Sequence, residues 1–290
     1  MDLQVFLPQL VLGLNNGAFY ALLSLGLAVI FGLLNVINFA HGAQFMLGAY
    51  VALLANRFFG VSYFTALFLS PILVGLLGII LERFFLRRIA KLDPLYSLLL
   101  TFGIAIALEG MFINFFGVSG EAYDGKPEIL EGALNLGFMF LPTYRAWVII
   151  LSLVICLITW VLIEKTKLGS YLRAGTEKPE LLQSFGVNVP LMVTLTYGYG
   201  VALAALAGVM AAPMLSVNPK MGSELIIVVF AVVVIGGMGS IGGSILTGFA
   251  LGIIEGFTKV IYPEASNTVI FIIMALVLLF RPTGLFGREK

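Results

Sequence analysis

Apolar runs of span length recur from one end of this chain to the other, and that recurrence constrains the fold more than any other feature. A helix needs about 20 mostly apolar residues to cross the ~30 Å hydrocarbon core of a bilayer. Runs of this kind occupy Leu10–Leu33, Phe39–Ala55, Tyr63–Leu81, Leu95–Phe116, Tyr144–Ile163, Leu191–Leu215, Gly243–Ile261 and Asn267–Phe280. One more run, Leu225–Ile235, is too short to cross ~30 Å as a regular helix. It predicts a broken or re-entrant helix near 225–243, or a span extended by its neighbours. Composition agrees: 60% of residues are hydrophobic and 11% charged, against roughly 25% charged in soluble domains. Too little polar surface remains to cover a soluble core. The expected fold is an all-α integral membrane protein of eight or nine transmembrane helices, organised as a single transmembrane domain over residues 1–290.

Charge sets the expected orientation. Basic residues concentrate in 82–93 (Arg83, Arg87, Arg88, Lys91), in 164–190 (Lys165, Lys167, Arg173, Lys178) and in the tail (Arg281, Arg288, Lys290). By the positive-inside rule these segments are cytoplasmic. The loop 117–142 carries Glu121, Asp124, Glu128 and Glu131 and is expected outside. The N-terminus is then outside and the C-terminus cytoplasmic, a parity that favours nine crossings. Trp147 and Trp160 flank one run about 20 Å apart, as interfacial aromatics would. The first basic residue is Arg57. With no basic segment ahead of it, the first apolar run is expected to stay as a span rather than be cleaved as a signal.

The same inventory excludes several functions. A net charge of +1 leaves no nucleic-acid footprint. The single cysteine, Cys156, forms no internal disulfide and builds no metal cluster, and the lone histidine has no second ligand nearby. No cofactor is expected. Two nucleotide-loop look-alikes fail on chemistry. Gly236–Gly243 lacks the Lys and hydroxyl that close a phosphate loop. Gly120–Pro127 fits GxxxxGK but ends in proline and is rich in carboxylates that repel phosphate.

Polar residues inside the runs are few, so each carries weight. The densest group lies between the first two runs, where Asn35, Asn38, His41 and Gln44 fall within ten residues. On a helix Asn38, His41 and Gln44 share one face. That face must meet protein or water, either as the lining of a solute path or as an inter-helix hydrogen-bond network. Glu109 and Glu255 sit toward the outer ends of their runs and are expected to reach the headgroups, with pore lining as the alternative. Asp, Lys and Arg are missing at mid-span, which argues against a self-powered, ion-coupled transporter and against a membrane-embedded enzyme.

Glycine supplies the packing signals. Gly13–Gly17, Gly248–Gly252 and Gly252–Gly256 are GxxxG pairs, expected to pack helices closely, with a subunit-dimer face as the alternative. Gly236, Gly237, Gly239, Gly242 and Gly243 form a breaker and packing segment between two runs. A weak internal repeat aligns Thr101–Gly110 with Thr247–Gly256, sharing Thr, Glu and Gly in register.

The segment 164–190 is the longest polar stretch on the expected inner side. Thr176 is expected to cap a short helix with Pro179 in its first turn, running Glu177–Phe185 and stopping at Gly186. It would group Leu181, Leu182 and Phe185 on one side. Apolar residues exposed beyond the membrane need a cover. Acidic Glu177 and Glu180 around Lys178 favour a protein partner over the bilayer surface.

Four stretches bear a family resemblance. Gly32–Gly42 (GLLNVINFAHG) with Phe45–Tyr50, Arg173 through Asn188, Phe230–Gly243 (FAVVVIGGMGSIGG) and Leu279–Gly287 (LFRPTGLFG) are similar to motifs of the permeases of branched-chain amino-acid ABC importers, LivH type. The resemblance covers nearly the whole chain and is more specific for the family than for the solute, since permeases for urea and short amides look alike. It implies a bacterial inner-membrane permease domain in an importer with a second, homologous permease, two cytoplasmic ATPase subunits that bind the ATP, and an extracytoplasmic substrate-binding protein. Glu177, Lys178, Pro179, Glu180, Leu181, Leu182, Phe185 and Gly186 would form the coupling helix seated in the ATPase. Asn35, Asn38, His41 and Gln44 would lie by the translocation path or support it.

Overall fold

The computed structural model describes residues 3–34, 36–90 and 92–287, with side chains from Val5 onward. Helices follow one another almost without interruption: α1 (Leu3–Leu34), α2 (His41–Phe59), α3 (Tyr63–Leu81), a π-helical turn (Glu82–Leu86), α4 (Arg87–Ile89), α5 (Pro94–Phe116), α6 (Thr143–Glu164), α7 (Lys167–Glu177), α8 (Pro179–Ser184), α9 (Val189–Ala211), α10 (Met221–Gly236), α11 (Ile241–Ile261) and α12 (Val269–Phe280). A hairpin of two three-residue strands, β1 (Ala133–Asn135) and β2 (Phe140–Pro142), lies in the 117–142 loop. Among the described residues, six helical stretches are long and apolar enough to cross a membrane: Val5–Leu34, Tyr63–Ile89, Pro94–Phe116, Thr143–Glu164, Val189–Ala211 and Ile241–Ile261. Met221–Gly236 and Val269–Phe280 are shorter apolar helices. The chain is an all-α, multi-pass membrane protein.

The expected break near 225–243 takes a different form. The run Leu225–Ile235 sits inside one continuous helix, α10, and the interruption follows it. Gly237 (φ 99°) and Gly239 (φ 93°) adopt left-handed backbone conformations, which residues with a Cβ rarely tolerate. The Ser240 side chain then accepts a hydrogen bond from the Gly243 N–H and starts α11.

The chain divides into two compact units, one of residues 1–25, 126–157 and 227–290, the other of 26–125 and 158–226. In the first unit α1 and α11 run antiparallel with their GxxxG pairs against each other. A Cβ on Gly13 would stand 2.7 Å from the Ile253 Cα, and one on Gly17 would stand 2.8 Å from the Phe249 Cα. Close backbone approach replaces the hydrophobic driving force that lipid removes. Polar ties reinforce it. The Tyr20 hydroxyl donates to Glu255 at 2.6 Å, the Lys259 ammonium lies 2.5 Å from the same carboxylate, and Ser24 Oγ donates to the Ser244 carbonyl at 3.3 Å. Glu255 is therefore buried as a helix cross-tie and does not reach out to headgroups.

In the second unit α2, α3 and α9 pack face to face. Gly48 meets the Ala205 backbone, Gly208 meets Phe45, and Gly198 meets Ile79. Ser70 Oγ donates to the Gly48 carbonyl at 2.9 Å. At one end of this unit the buried Glu82 carboxylate accepts from the Thr194 hydroxyl at 2.6 Å and from Arg87, which also donates to the Pro190 carbonyl. The segment 82–93 is thus tied to the start of α9. At the other end Glu121 pairs with Val217 through two backbone hydrogen bonds and accepts from Arg57 at 2.7 Å.

Candidate functional site

The site is built on α2, whose start lies deep in the second unit. His41 faces Gly26, and Gly26 in turn abuts Gly200, near the middle of α9. Ahead of it the chain is not helical: 36–38 is irregular and Phe39–Ala40 form a turn. Non-helical backbone at that depth must be satisfied by protein. Thr101 of α5 does this. Its hydroxyl oxygen accepts from the Phe39 N–H at 3.0 Å, and the hydroxyl itself lies 2.9 Å from the Ser97 carbonyl and 3.2 Å from the Ile37 carbonyl.

Of the four polar residues expected here, Asn35 lies outside the described residues. The other three are all buried, and two of them, Asn38 and Gln44, are joined by a route different from one shared helical face. Asn38 precedes the helix, and the chain folds it back so that its amide donates to Gln44 Oε1 at 3.1 Å. Asn38 and His41 are 0% exposed and Gln44 is 2% exposed. Asn38 and Gln44 form a buried polar pair across the start of α2, while the His41 ring lies against Gly26.

The opposite side of those turns opens into a recess. Gly42, Ala43 and Met46 of α2 face Phe102, Ile106 and Glu109 of α5, with Pro219 and the first residues of α10 closing the wall. Its cavity volume is about 70 Å³. Gly42 and Gly222 touch backbone to backbone, so the starts of α2 and α10 meet here. The meeting point also accounts for the shortness of α10: its 16 residues begin against the buried start of α2. Glu109 is half-buried and makes no hydrogen bond or ion pair among the described residues. Sequence reasoning weighed Glu109 but missed Ser223 and Ile226, which line the same recess. The small residue Gly222 just after Pro219 was the one available signal.

The 164–190 segment holds two helices where one was expected. Thr166 caps α7, accepting from the Leu168 N–H. Thr176 is not a cap: it lies in the last turn of α7, and its hydroxyl reaches back to the Leu172 and Arg173 carbonyls. The short helix is α8, Pro179–Ser184, instead of Glu177–Phe185. Glu177 ends α7, Lys178 joins the two helices, and Gly186 (φ 80°) turns the chain away. Leu182 is buried against Gly175. Leu181 (55% exposed) and Phe185 (77% exposed) project beside a hollow of about 180 Å³ that Glu177 and Lys178 also line.

Residues 9–278 match the family described as branched-chain amino acid transport system / permease component. The chain belongs to this permease family. It is 31% identical over 304 residues to the high-affinity branched-chain amino acid transport system permease protein BraD of Pseudomonas aeruginosa, covering 98% of this chain and 97% of that one. It is 29% identical over 301 residues to LivH of Escherichia coli K12, at 98% and 96% coverage. LivM of the same organism is 25% identical over 296 residues, covering 93% of this chain and 68% of LivM.

The permease's two C-terminal motifs pack on each other. The Leu285 N–H donates to the Ile235 carbonyl at 2.8 Å and the Phe286 N–H to the Gly236 carbonyl at 3.2 Å. A Cβ on Gly284 would stand 2.5 Å from both the Gly237 Cα and the Val234 carbonyl oxygen. Gly236 and Gly243 likewise meet backbone to backbone. Gly239 and Gly242 belong to the same turn and start of α11.

Proposed function

We propose that this chain is the membrane-spanning permease subunit of an ATP-driven importer for branched-chain amino acids. The observation that carries the reading is the 31% identity to BraD over an alignment covering 98% of the chain. The permease has no ATPase site of its own and takes its power from two cytoplasmic ATPase subunits. A second, homologous permease completes the membrane domain, a role that the weaker similarity to LivM supports. An extracytoplasmic binding protein delivers the solute. The assembly sits in the bacterial inner membrane.

Nine helices cross or enter the bilayer in this reading: α1, α2, α3, α5, α6, α9, α10, α11 and α12. The N-terminus is outside, the C-terminus cytoplasmic, 82–93 and 164–190 inside, and 117–142 outside. Two sets of contacts support that assignment. Arg57, Glu121 and Val217, from three segments placed outside, bind one another. Arg87 and Pro190, from two segments placed inside, do the same.

The coupling element is α8 with its flanks, Glu177 through Gly186. Leu181 and Phe185 are the apolar contacts to an ATPase groove, with Glu177, Lys178 and Glu180 around them. Movement there passes into α9 through Val189 and Pro190. Asn38, His41 and Gln44, with Asn35 ahead of them, support the solute path from behind by fixing the start of α2. The test is co-expression with the neighbouring genes. Purification of this chain with two ATPase subunits and a second permease is the expected result. A chain that purifies alone and catalyses uptake by itself would overturn the reading.

A further inference from the structure

Two carboxylates at matching offsets in α5 and α11 have different surroundings. Glu255 is buried and satisfied by Tyr20 and Lys259. Glu109 is half-buried at the wall of the recess and satisfied by nothing among the described residues. An ionisable group inside a span is costly and marks a path or a binding site by default. Glu109 is also the one ionisable residue among those lining the recess.

We propose that this recess is a subsite for a zwitterionic amino acid in transit, with Glu109 as the counter-charge to its α-ammonium group. The inference rests on the reading of the chain as an amino-acid permease and adds where the solute is held. The start of α10 lines the same recess. The first turn of α10, which also carries Glu224, offers backbone N–H groups at the positive end of a helix dipole, and it meets the start of α2 through Gly42 and Gly222. Ser223 adds a hydroxyl to the lining. An ammonium group is favoured beside Glu109, and the backbone N–H groups and Ser223 hydroxyl at the start of α10 are the donors left for a carboxylate group, which orients a zwitterion. Met46, Phe102, Ile106 and Ile226 make the remaining surface apolar, suited to a branched aliphatic side chain. Non-helical backbone and paired helix ends at such depth are how other membrane transporters present polar groups to a solute. A neutral amide such as urea gains nothing from the Glu109 charge, so the subsite favours amino acids over amides.

The test uses the assembled importer in proteoliposomes, with initial rates of radiolabelled leucine uptake for wild type, Glu109→Gln and Glu109→Asp. Glu109→Gln is expected to lower the rate by about tenfold or more, the worth of a charge-assisted contact, while Glu109→Asp retains most of it and both variants co-purify normally with the second permease. A second readout needs no transport. In a Ser223→Cys background the cationic thiol reagent MTSET should react faster than the anionic MTSES, and Glu109→Gln should bring the two rates together. Unchanged leucine uptake in Glu109→Gln overturns the proposal, as does a reagent ratio that Glu109 does not control. Loss of the second permease from purified Glu109→Gln would also overturn it, assigning the carboxylate to a subunit contact. A wild-type complex that takes up no branched-chain amino acid would instead sink the transport reading, and the reagent ratio would still judge the recess.

Discussion

The contact between α1 and α11 gives a prediction whose size follows from the coordinates. A methyl group added at Gly13 would sit 2.7 Å from the Ile253 Cα and 2.9 Å from the Gly252 carbonyl oxygen; at Gly17 it would sit 2.8 Å from the Phe249 Cα. Carbon atoms prefer about 3.5–4.0 Å, so each alanine pushes the helices apart by about 0.8 Å. The obstacles are backbone atoms and cannot rotate away. Overpacking of this kind costs about 1–3 kcal/mol. The same shift stretches the 2.6 Å Tyr20–Glu255 hydrogen bond. Because one displacement relieves both clashes, Gly13→Ala with Gly17→Ala should cost less than the sum of the two. Thermal unfolding of the detergent-solubilised permease should show each single variant melting several degrees lower. Gly103→Ala is the control, since nothing lies within 4 Å of its new methyl group and helix propensity alone favours alanine by about 0.5–1 kcal/mol. Single variants at Gly13 and Gly17 that melt like wild type would refute packing within the chain and return these pairs to a face between subunits.

Three more outcomes are expected. Leu181→Asp combined with Phe185→Asp removes the exposed apolar contacts of α8 while leaving buried Leu182 in place, so co-purification with the ATPase subunits should fall sharply with little change in thermal stability; unchanged co-purification would deny α8 the coupling role. Asn38→Leu deletes the amide that donates to Gln44 and leaves a buried acceptor unpaired, a loss of about 1–3 kcal/mol; uptake should slow while the complex still assembles, and full uptake would make the pair dispensable to the path. Asp124→Cys should be labelled by a membrane-impermeant maleimide added to intact spheroplasts, whereas labelling only after lysis would invert the topology.

The spans were legible because apolar length is a local property of sequence. Tyr63–Leu81 was read to the residue, and most other ends fell within a few residues. What failed depended on partners far along the chain. Glu255 looked like a headgroup-reaching residue because its hydrogen-bond donor, Tyr20, lies 235 positions away. The α7 helix was missed because Gly169 and Gly175, poor helix formers, make its sequence read as a loop. Both glycines are buried in the fold, Gly175 against Met192 and Leu182. Thr176 was taken for a cap because Pro179 signals a helix start, yet α8 begins with no side-chain cap. The polar cluster at 35–44 was visible, but the fold decided which side of α2 is sealed and which is open. That Glu109 has no hydrogen-bond or ion-pair partner among the described residues could not be read from sequence, since it depends on which residues the fold brings to its side.

The central claim is that this permease moves branched-chain amino acids only when a partner ATPase drives it. The most direct measurement is leucine uptake into proteoliposomes holding the full complex, with its binding protein on the substrate side and ATP or a non-hydrolysable analogue on the ATPase side. Uptake that requires ATP hydrolysis and both partner types is the expected result. Uptake by this chain alone, driven by an ion gradient without ATP, would contradict it.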